Sequence, residues 1–301
     1  MLSTWRLQLL VQFAALGTMR KVSESSCISM ATVSQQLHLL EKETNLILFE
    51  KVGRHIRLTD DGLALVEKAR PILNNLEVLE TSIKDAAQEV RGTVRLSAFT
   101  SALLSLVVPV VSNLHDEYPE IDIRLTEREP YLSIPALESY QTDMAIISYS
   151  KKISLLEQRN TNCIYLGHDT LMVLVSDKDP LARQEKVRIE ELRDRKWILE
   201  AGNTYLNSYI KELCYKADFV PCVDHEIQSY FLMHKMIAEN MAIGILPNLA
   251  IIDSIPGIAK LKLVPMAPRE MYLITRKEQT KAIKILTEAI RSYSSKLLIA
   301  H

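Results

Sequence analysis

Glycine is scarce in this chain, eight in 301 residues, and none stands in a GxGxxG, GxxxxGK or GxSxG pattern. That excludes the loops that cradle nucleotide phosphates and the strained elbow of a serine hydrolase. The four cysteines, Cys27, Cys163, Cys214 and Cys222, form no CxxC pair, and the seven histidines form no HExxH. No metal site, cofactor or catalytic residue is therefore expected, and the chain does not read as an enzyme. Charge of one sign is missing too: the net charge is −1, which argues against a wholesale nucleic-acid coat. The longest apolar run, around Leu103 to Val111, is far too short to span a bilayer. The start, Met-Leu-Ser-Thr-Trp-Arg, lacks the charged and apolar segments of a signal peptide, so no membrane partner and a reducing cytoplasm are expected.

What is present is concentrated near the front. Residues 1–58 hold seven basic against four acidic side chains, a head of +3 on a remainder of −4. Between Gly17 and Glu43 the chain reads as helix, tight turn, helix. Thr18 is placed to cap the first helix, from about Met19 to Ser25, and Ser29 the second, because a hydroxyl accepts from the unpaired amides of a first turn. Val33, Leu37 and Leu40 recur at four and three residues, so one face of the second helix is buried. The other face carries Met30, Ala31, Thr32, Ser34, Gln35 and His38, small or amide-bearing groups with little charge. Such a face suits a DNA major groove, where hydroxyls and amides pair with base edges. It also suits two ordinary helices of an α-helical core, and the flank favours the groove. From Phe49 to Thr59 two short alternating arms surround Gly53-Arg54, a hairpin that gathers Lys51, Arg54, His55 and Arg57.

Residues 5–62 resemble the winged helix-turn-helix of LysR-type transcriptional regulators. The match runs without a gap through Gly17, Glu24, Ser29, Val33-Ser34-Gln35-Gln36-Leu37, Leu40-Glu41-Lys42-Glu43, Leu48-Phe49-Glu50, Gly53-Arg54, Arg57-Leu58-Thr59 and Gly62. It departs at Val22-Ser23, where the family usually has two alanines, and at Met30, where it often has Gln. The resemblance implies a ligand-responsive DNA-binding regulator. Met30, Ala31, Ser34 and Gln35, with Thr32 and His38, would face bases, the cap Ser29 would join them in the DNA-binding set, and Arg54, His55 and Arg57 would hold phosphate or the minor groove.

Thr59-Asp60-Asp61 opens a long helix, in which Leu65, Ala69, Ile72, Leu76, Leu79, Ile83, Ala86 and Val90 alternate three and four apart. That is a heptad seam, the pattern of a helix pairing with a copy of itself, although Pro71 within it should kink or restart the helix. A homodimer through this helix is expected; the family's habit makes it a homotetramer. Beyond Arg91-Gly92, strands and helices alternate as in a parallel α/β sheet. A second sheet is expected to begin near Ile164, and the chain to cross back near Pro265. The expected class is thus α/β with an all-α, winged N-terminal domain: a winged helix-turn-helix, a long linker helix, then two Rossmann-like lobes of periplasmic-binding-protein type. The expected bounds are 1–58 for the DNA-binding domain, 59–90 for the linker and 91–301 for an effector-binding domain. Lobe I would take about 91–162 and 267–301, and lobe II about 163–266.

In open α/β sheets ligands bind beyond the carboxyl ends of strands. Those places here are Thr100 and Ser101 after the first strand, Ser148 after another, and Asn203, Thr204 and Gln228 in the second lobe. No arginine or lysine is marked by the sequence as aimed at the cleft. A redox switch between Cys214 and Cys222 is disfavoured: peroxide-sensing relatives place a reactive cysteine just after the glycine that Gly202 resembles, and here Asn203, Thr204 and Tyr205 stand there. The competing reading is a small-molecule-binding module of periplasmic-binding-protein type with no specific DNA function.

Overall fold

The computed structural model describes residues 2–53, 55–85, 90–148 and 161–299, the side chains of residues 81–85 excepted. Arg54 and Ala86 therefore lie outside the described residues.

Three helices build the head: α1 (Thr4–Leu16), α2 (Met19–Ser26) and α3 (Met30–Thr44). Each ends on a left-handed residue, Gly17, Cys27 and Asn45 in turn, which reverses the chain within one or two positions. Leu9, Leu10, Phe13, Val22, Val33, Leu37 and Leu40 form their common core. Strands β1 (Phe49–Val52) and β2 (His55–Leu58) pair antiparallel as the expected hairpin, Glu50 opposite Arg57 and Val52 opposite His55. Glu41 ties the hairpin to α3, since its carboxylate accepts the N–H groups of Leu48 (2.9 Å) and Phe49 (3.3 Å).

Helix α4 (Asp60–Asp85) starts where Thr59 Oγ1 accepts the Gly62 N–H (3.0 Å), and it stays helical through Pro71 instead of restarting there. Its seam divides differently from the expected one. Val66, Ala69 and Leu73 are buried in the head's core, so Ala69 faces its own chain. Ile72 and Leu79 remain 55% and 54% exposed, with Leu63 exposed as well. A helix that packs on α1 along one stripe still leaves an apolar stripe on its other side.

Among the described residues, the C-terminal body is one ten-stranded sheet with a waist. On the first side, β3 (Gly92–Ala98) lies between β4 (Ile121–Glu127) and β5 (Met144–Ser148), all parallel. A helical run, α5, follows β3 as Thr100–Ala102, a π-helical turn at Leu103–Val107, and Val108–Glu117. The wide turn lies just before Pro109, which has no N–H for the ladder. Helix α6 (Pro130–Glu138) leads into β5.

Instead of starting a separate sheet near Ile164, the chain forms a single long strand, β6 (Thr161–Ser176), that serves both lobes. Past β7 (Lys186–Arg188), β8 (Lys196–Leu199), α7 (Tyr205–Lys216), β9 (Cys222–Glu226), α8 (Tyr230–Ala238), β10 (Ile243–Pro247) and β11 (Ile258–Val264), the chain returns along β12 (Pro268–Arg276). It closes with α9 (Lys281–Leu297). The first half of β6 pairs with β12, whose other edge takes β5; the second half pairs with β10 and β11. Each lobe has its own apolar core, one around Leu96, Leu106, Met144 and Leu286, the other around Val173, Trp197, Ile210 and Ile245. Among the described residues no helix is long and apolar enough to cross a membrane.

Candidate functional site

The outer face of α3 is open. Ser29 Oγ accepts the Thr32 N–H (3.1 Å) as the cap that the sequence suggests, and the two hydroxyls lie 2.8 Å apart. Thr32 is thereby half-buried in the cap, whereas Ala31, Ser34, Gln35 and His38 are exposed and Met30 is 53% exposed. His38 Nδ1 lies 3.3 Å from the Glu41 carboxylate, so its ring is steered along the helix. Gln36, one position on from Gln35, is taken instead by Arg6 Nε (2.9 Å). In the hairpin, His55 is exposed, and Arg57 Nε donates to Glu50 (2.6 Å) across the two strands. Arg57 thus sits beside an anion that DNA phosphate would have to displace.

The second region is the waist between the lobes. Here the structure brings in an arginine that the sequence does not mark. Arg269, at the start of β12, is 2% exposed. Its Nη2 donates to Asp169 of β6 (2.7 Å) and to Ser101 (3.0 Å), and its guanidinium lies 4.8 Å from the centroid of the Phe99 ring. Asp169 also accepts the N–H groups of its neighbour Thr170 (2.8 Å) and of Leu249 (3.4 Å), which ties the turn after β10 to β6.

Of the residues expected to contact a ligand, Thr100, Ser101 and Ser148 gather at the strand ends of lobe I, and Thr204 comes to the cleft from lobe II. Thr100 donates to Glu127, and Ser101 is held by Arg269. Thr204 caps α7 by accepting the Asn207 N–H (3.1 Å) and bonds Glu200. Asn203 and Gln228 are exposed beside these positions. The residues missed are Arg269, Asp169, Glu129, Glu200 and Tyr230. Glu129 of lobe I accepts the Tyr205 N–H of lobe II (2.9 Å), a direct strap across the cleft. Glu200 is buried, accepts from Thr204 and Tyr230, and stands within reach of the Glu129 charge. Burial raises the pKa of both carboxyls above the ordinary value, and the charge of Glu129 raises Glu200 further.

A third cluster joins the linker helix to lobe I. Asp143, just before β5, accepts from Arg95 and Arg276, while Glu77 of α4 pairs with both of those arginines. Arg276 also stacks on Tyr140, whose hydroxyl donates to the Arg70 carbonyl of α4 (2.8 Å). Gln141 reaches Ser25 of the head (2.8 Å).

Comparison with known proteins bears on both regions. The family described as bacterial regulatory helix-turn-helix protein, lysR family, matches residues 5–63, and the LysR substrate binding domain matches residues 87–295. The hydrogen peroxide-inducible genes activator of Haemophilus influenzae is 22% identical over 247 residues, 82% of this chain and 80% of that one. The transcriptional dual regulator GltC of Bacillus subtilis is 25% identical over 226 residues, 75% and 74% of the two chains. Among solved structures, a full-length OxyR variant from Pseudomonas aeruginosa superposes with a TM-score of 0.67 at 20% identity, covering 97% of this chain and 98% of that one. Full-length BenM gives 0.61 at 19% identity, with 100% and 99% covered. At these identities the structural likeness is one of fold.

Proposed function

The chain belongs to the LysR family and is a DNA-binding transcriptional regulator with an effector-binding C-terminal domain, and from that premise we propose how it divides the work. Residues 1–58 read the operator, residues 59–90 pair two heads, and residues 91–301 sense a small molecule in the cytoplasm. In the head, Ser29, Met30, Ala31, Thr32, Ser34, Gln35 and His38 lie along the major groove, with Thr32 chiefly ordering the cap. His55 and Arg57, with Arg54, hold the backbone or the minor groove. The observation that carries this is the exposed, nearly uncharged face of α3, capped by Ser29 and standing beside a hairpin that bears His55 and Arg57.

Two heads need a fixed separation to read half-sites one or more helical turns apart. The exposed pair of Ile72 and Leu79, seven residues apart on one face of α4, supports pairing through that helix into a homodimer, and two dimers into a tetramer. The effector sits between the lobes, bounded by Thr100, Ser101 and Ser148 on one side and Asn203, Thr204 and Gln228 on the other. The Glu129–Tyr205 strap and the Arg269–Asp169 pair at the waist support that placement.

The test is binding of the purified protein to the DNA upstream of its own gene, titrated across salt with competitor DNA present. Gln35→Ala should lose roughly 1–3 kcal/mol at one base position and little elsewhere. Arg57→Ala should weaken all sequences alike and reduce the salt dependence by about one ion. If both variants weakened binding uniformly, the assignment of α3 to base reading would fall. No binding at any salt would return the cleft to the ligand-binding alternative.

A further inference from the structure

Glu129 and Glu200 face one cleft from opposite lobes, and among the described residues neither makes an ion pair. Glu129 has the Tyr205 N–H, and Glu200 has the hydroxyls of Thr204 and Tyr230; all three are neutral donors. The Arg269 guanidinium attracts both carboxylates, but it is already matched by Asp169 at 2.7 Å, with both side chains almost wholly buried. Glu127, held by Thr100, adds a further carboxylate at the rim. Two half-buried or buried carboxylates in mutual repulsion are costly unless something positive arrives.

Among the described residues, Arg269 Nε and Ser148 Oγ in the same cleft are buried polar groups with no partner. Arg269 is 2% and Ser148 1% exposed. Ser148 lies opposite Met271 on β12, so its side chain stands on the same face of the sheet as Arg269, two residues along. Arg269 Nη2 bonds Ser101 on that face, at the strand ends where the cleft opens. An unmet buried donor is costly, and an oxygen on a ligand would meet it.

We propose that the effector is a small molecule carrying a primary ammonium, seated between Glu129 and Glu200, whose far end presents an oxygen to Arg269 Nε and Ser148 Oγ. The proposal rests on the reading of the cleft as the effector site. An ammonium brings three donors and one charge to two carboxylates, and both lobes are then drawn onto one atom. The groups facing that position are Glu127, Glu129 and Arg269 from lobe I and the crossing strands, and Glu200 and Tyr230 from lobe II. Burial raises both carboxyls above their ordinary range, so they ionise at higher pH than free carboxyls, and binding strengthens as pH rises through that ionisation.

The experiment is calorimetric titration and thermal melting of the full chain with γ-aminobutyrate, lysine and ethanolamine. Succinate, butanediol and magnesium ion serve as carboxylate, uncharged and metal controls. At least one ammonium probe should bind and raise the melting temperature, more at pH 8 than at pH 5. Glu129→Gln and Glu200→Gln should each weaken it about tenfold, the loss of one charge-assisted hydrogen bond. Glu200→Gln without ligand should melt no lower than wild type, which separates a lost ligand contact from a damaged fold. Stabilisation by succinate, butanediol or magnesium but by no ammonium probe overturns the proposal, as does the absence of any binding. So does ammonium binding unchanged in both variants. Operator binding is measured on the same preparation: if it persists while the amines fail, only the ligand class is wrong, and if it is absent at every salt, the regulator reading fails instead.

Discussion

Asp143→Asn tests whether the ion cluster between linker and lobe is a structural joint. The carboxylate is 2% exposed and accepts the Arg95 N–H (2.8 Å), Arg95 Nε (3.0 Å) and Nη2 (2.7 Å), and Arg276 Nη2 (2.7 Å). The amide keeps the shape but removes the charge and turns two N–H donors toward guanidinium groups. Glu77, about a third exposed, is left as the partner of both arginines. Removing one member of a buried, hydrogen-bonded charge cluster costs about 3–5 kcal/mol. For a body of roughly 200 residues that is a fall in Tm of roughly 6–20 °C. The sign against pH is equally definite. Burial pushes the Asp143 carboxyl up, but the hydrogen bonds and charges of Arg95 and Arg276 outweigh it and hold the pKa below the usual carboxylate value. Its contribution is fully present above the unfolded pKa of about 3.9 and is lost as pH falls through the folded one. Thermal and urea unfolding from neutral pH downward should show the two proteins differing most near pH 7 and converging in acid. A loss under about 1 kcal/mol at neutral pH, or a gap independent of pH, would refute the reasoning.

Gly62→Ala should destabilise the head by about 1–3 kcal/mol and weaken DNA binding. A Cβ there would lie 2.4 Å from the Leu48 carbonyl oxygen, where the hairpin and α4 meet; denaturant unfolding of the variant measures the cost. In timed maleimide labelling read by mass spectrometry, Cys27 and Cys222 should react first, being exposed. Cys214 should react only on unfolding, because burial removes access and pushes its thiol up to about 12, leaving almost no thiolate. Rapid native labelling of Cys214 would reopen the peroxide-switch alternative.

The head was legible in the sequence because its determinants are local. Ser29 caps α3 three residues away, and Val33, Leu37 and Leu40 repeat at the helix period, so neither needs the rest of the chain. The linker was half legible. A three-four spacing marks an apolar stripe without saying which neighbour covers it, and α1 took Ala69 while Ile72 and Leu79 stayed outside. The cleft was legible only as strand ends. Ser101 and Ser148 follow strands and could be placed; Arg269 and Asp169 stand 100 residues apart, and Glu129 and Tyr205 stand 76 apart. Their meeting depends on β6 and β12 each crossing the waist, which no local pattern announces.

That crossing also gives the two ends of one strand distinct duties. Arg269 holds the cleft at the start of β12 and Arg276 holds α4 at its end, seven residues or roughly 23 Å away along a strand paired on both edges. A paired strand does not stretch, so a rotation of one lobe at Arg269 would reach Arg276 as a displacement of the linker. The head touches the same end through Gln141 to Ser25, and α4 touches it again through its Arg70 carbonyl, which accepts from Tyr140. Glu77→Gln weakens the linker side of this joint and leaves Asp143 with both arginines. Glu77 is partly exposed, so the fold should lose no more than about 1 kcal/mol. If α4 pairs the heads as proposed, operator affinity should nevertheless change, because its angle would then set their separation, while the base preference at the position assigned to Gln35 stays as in wild type. The measurement is operator binding by the variant and the wild type, each against single-base variants of the site. An unchanged affinity would mean that α4 is positioned by its packing on α1 and its bonds through Arg70 and Asn74, and that the Glu77 ion pairs do not steer the DNA-binding head.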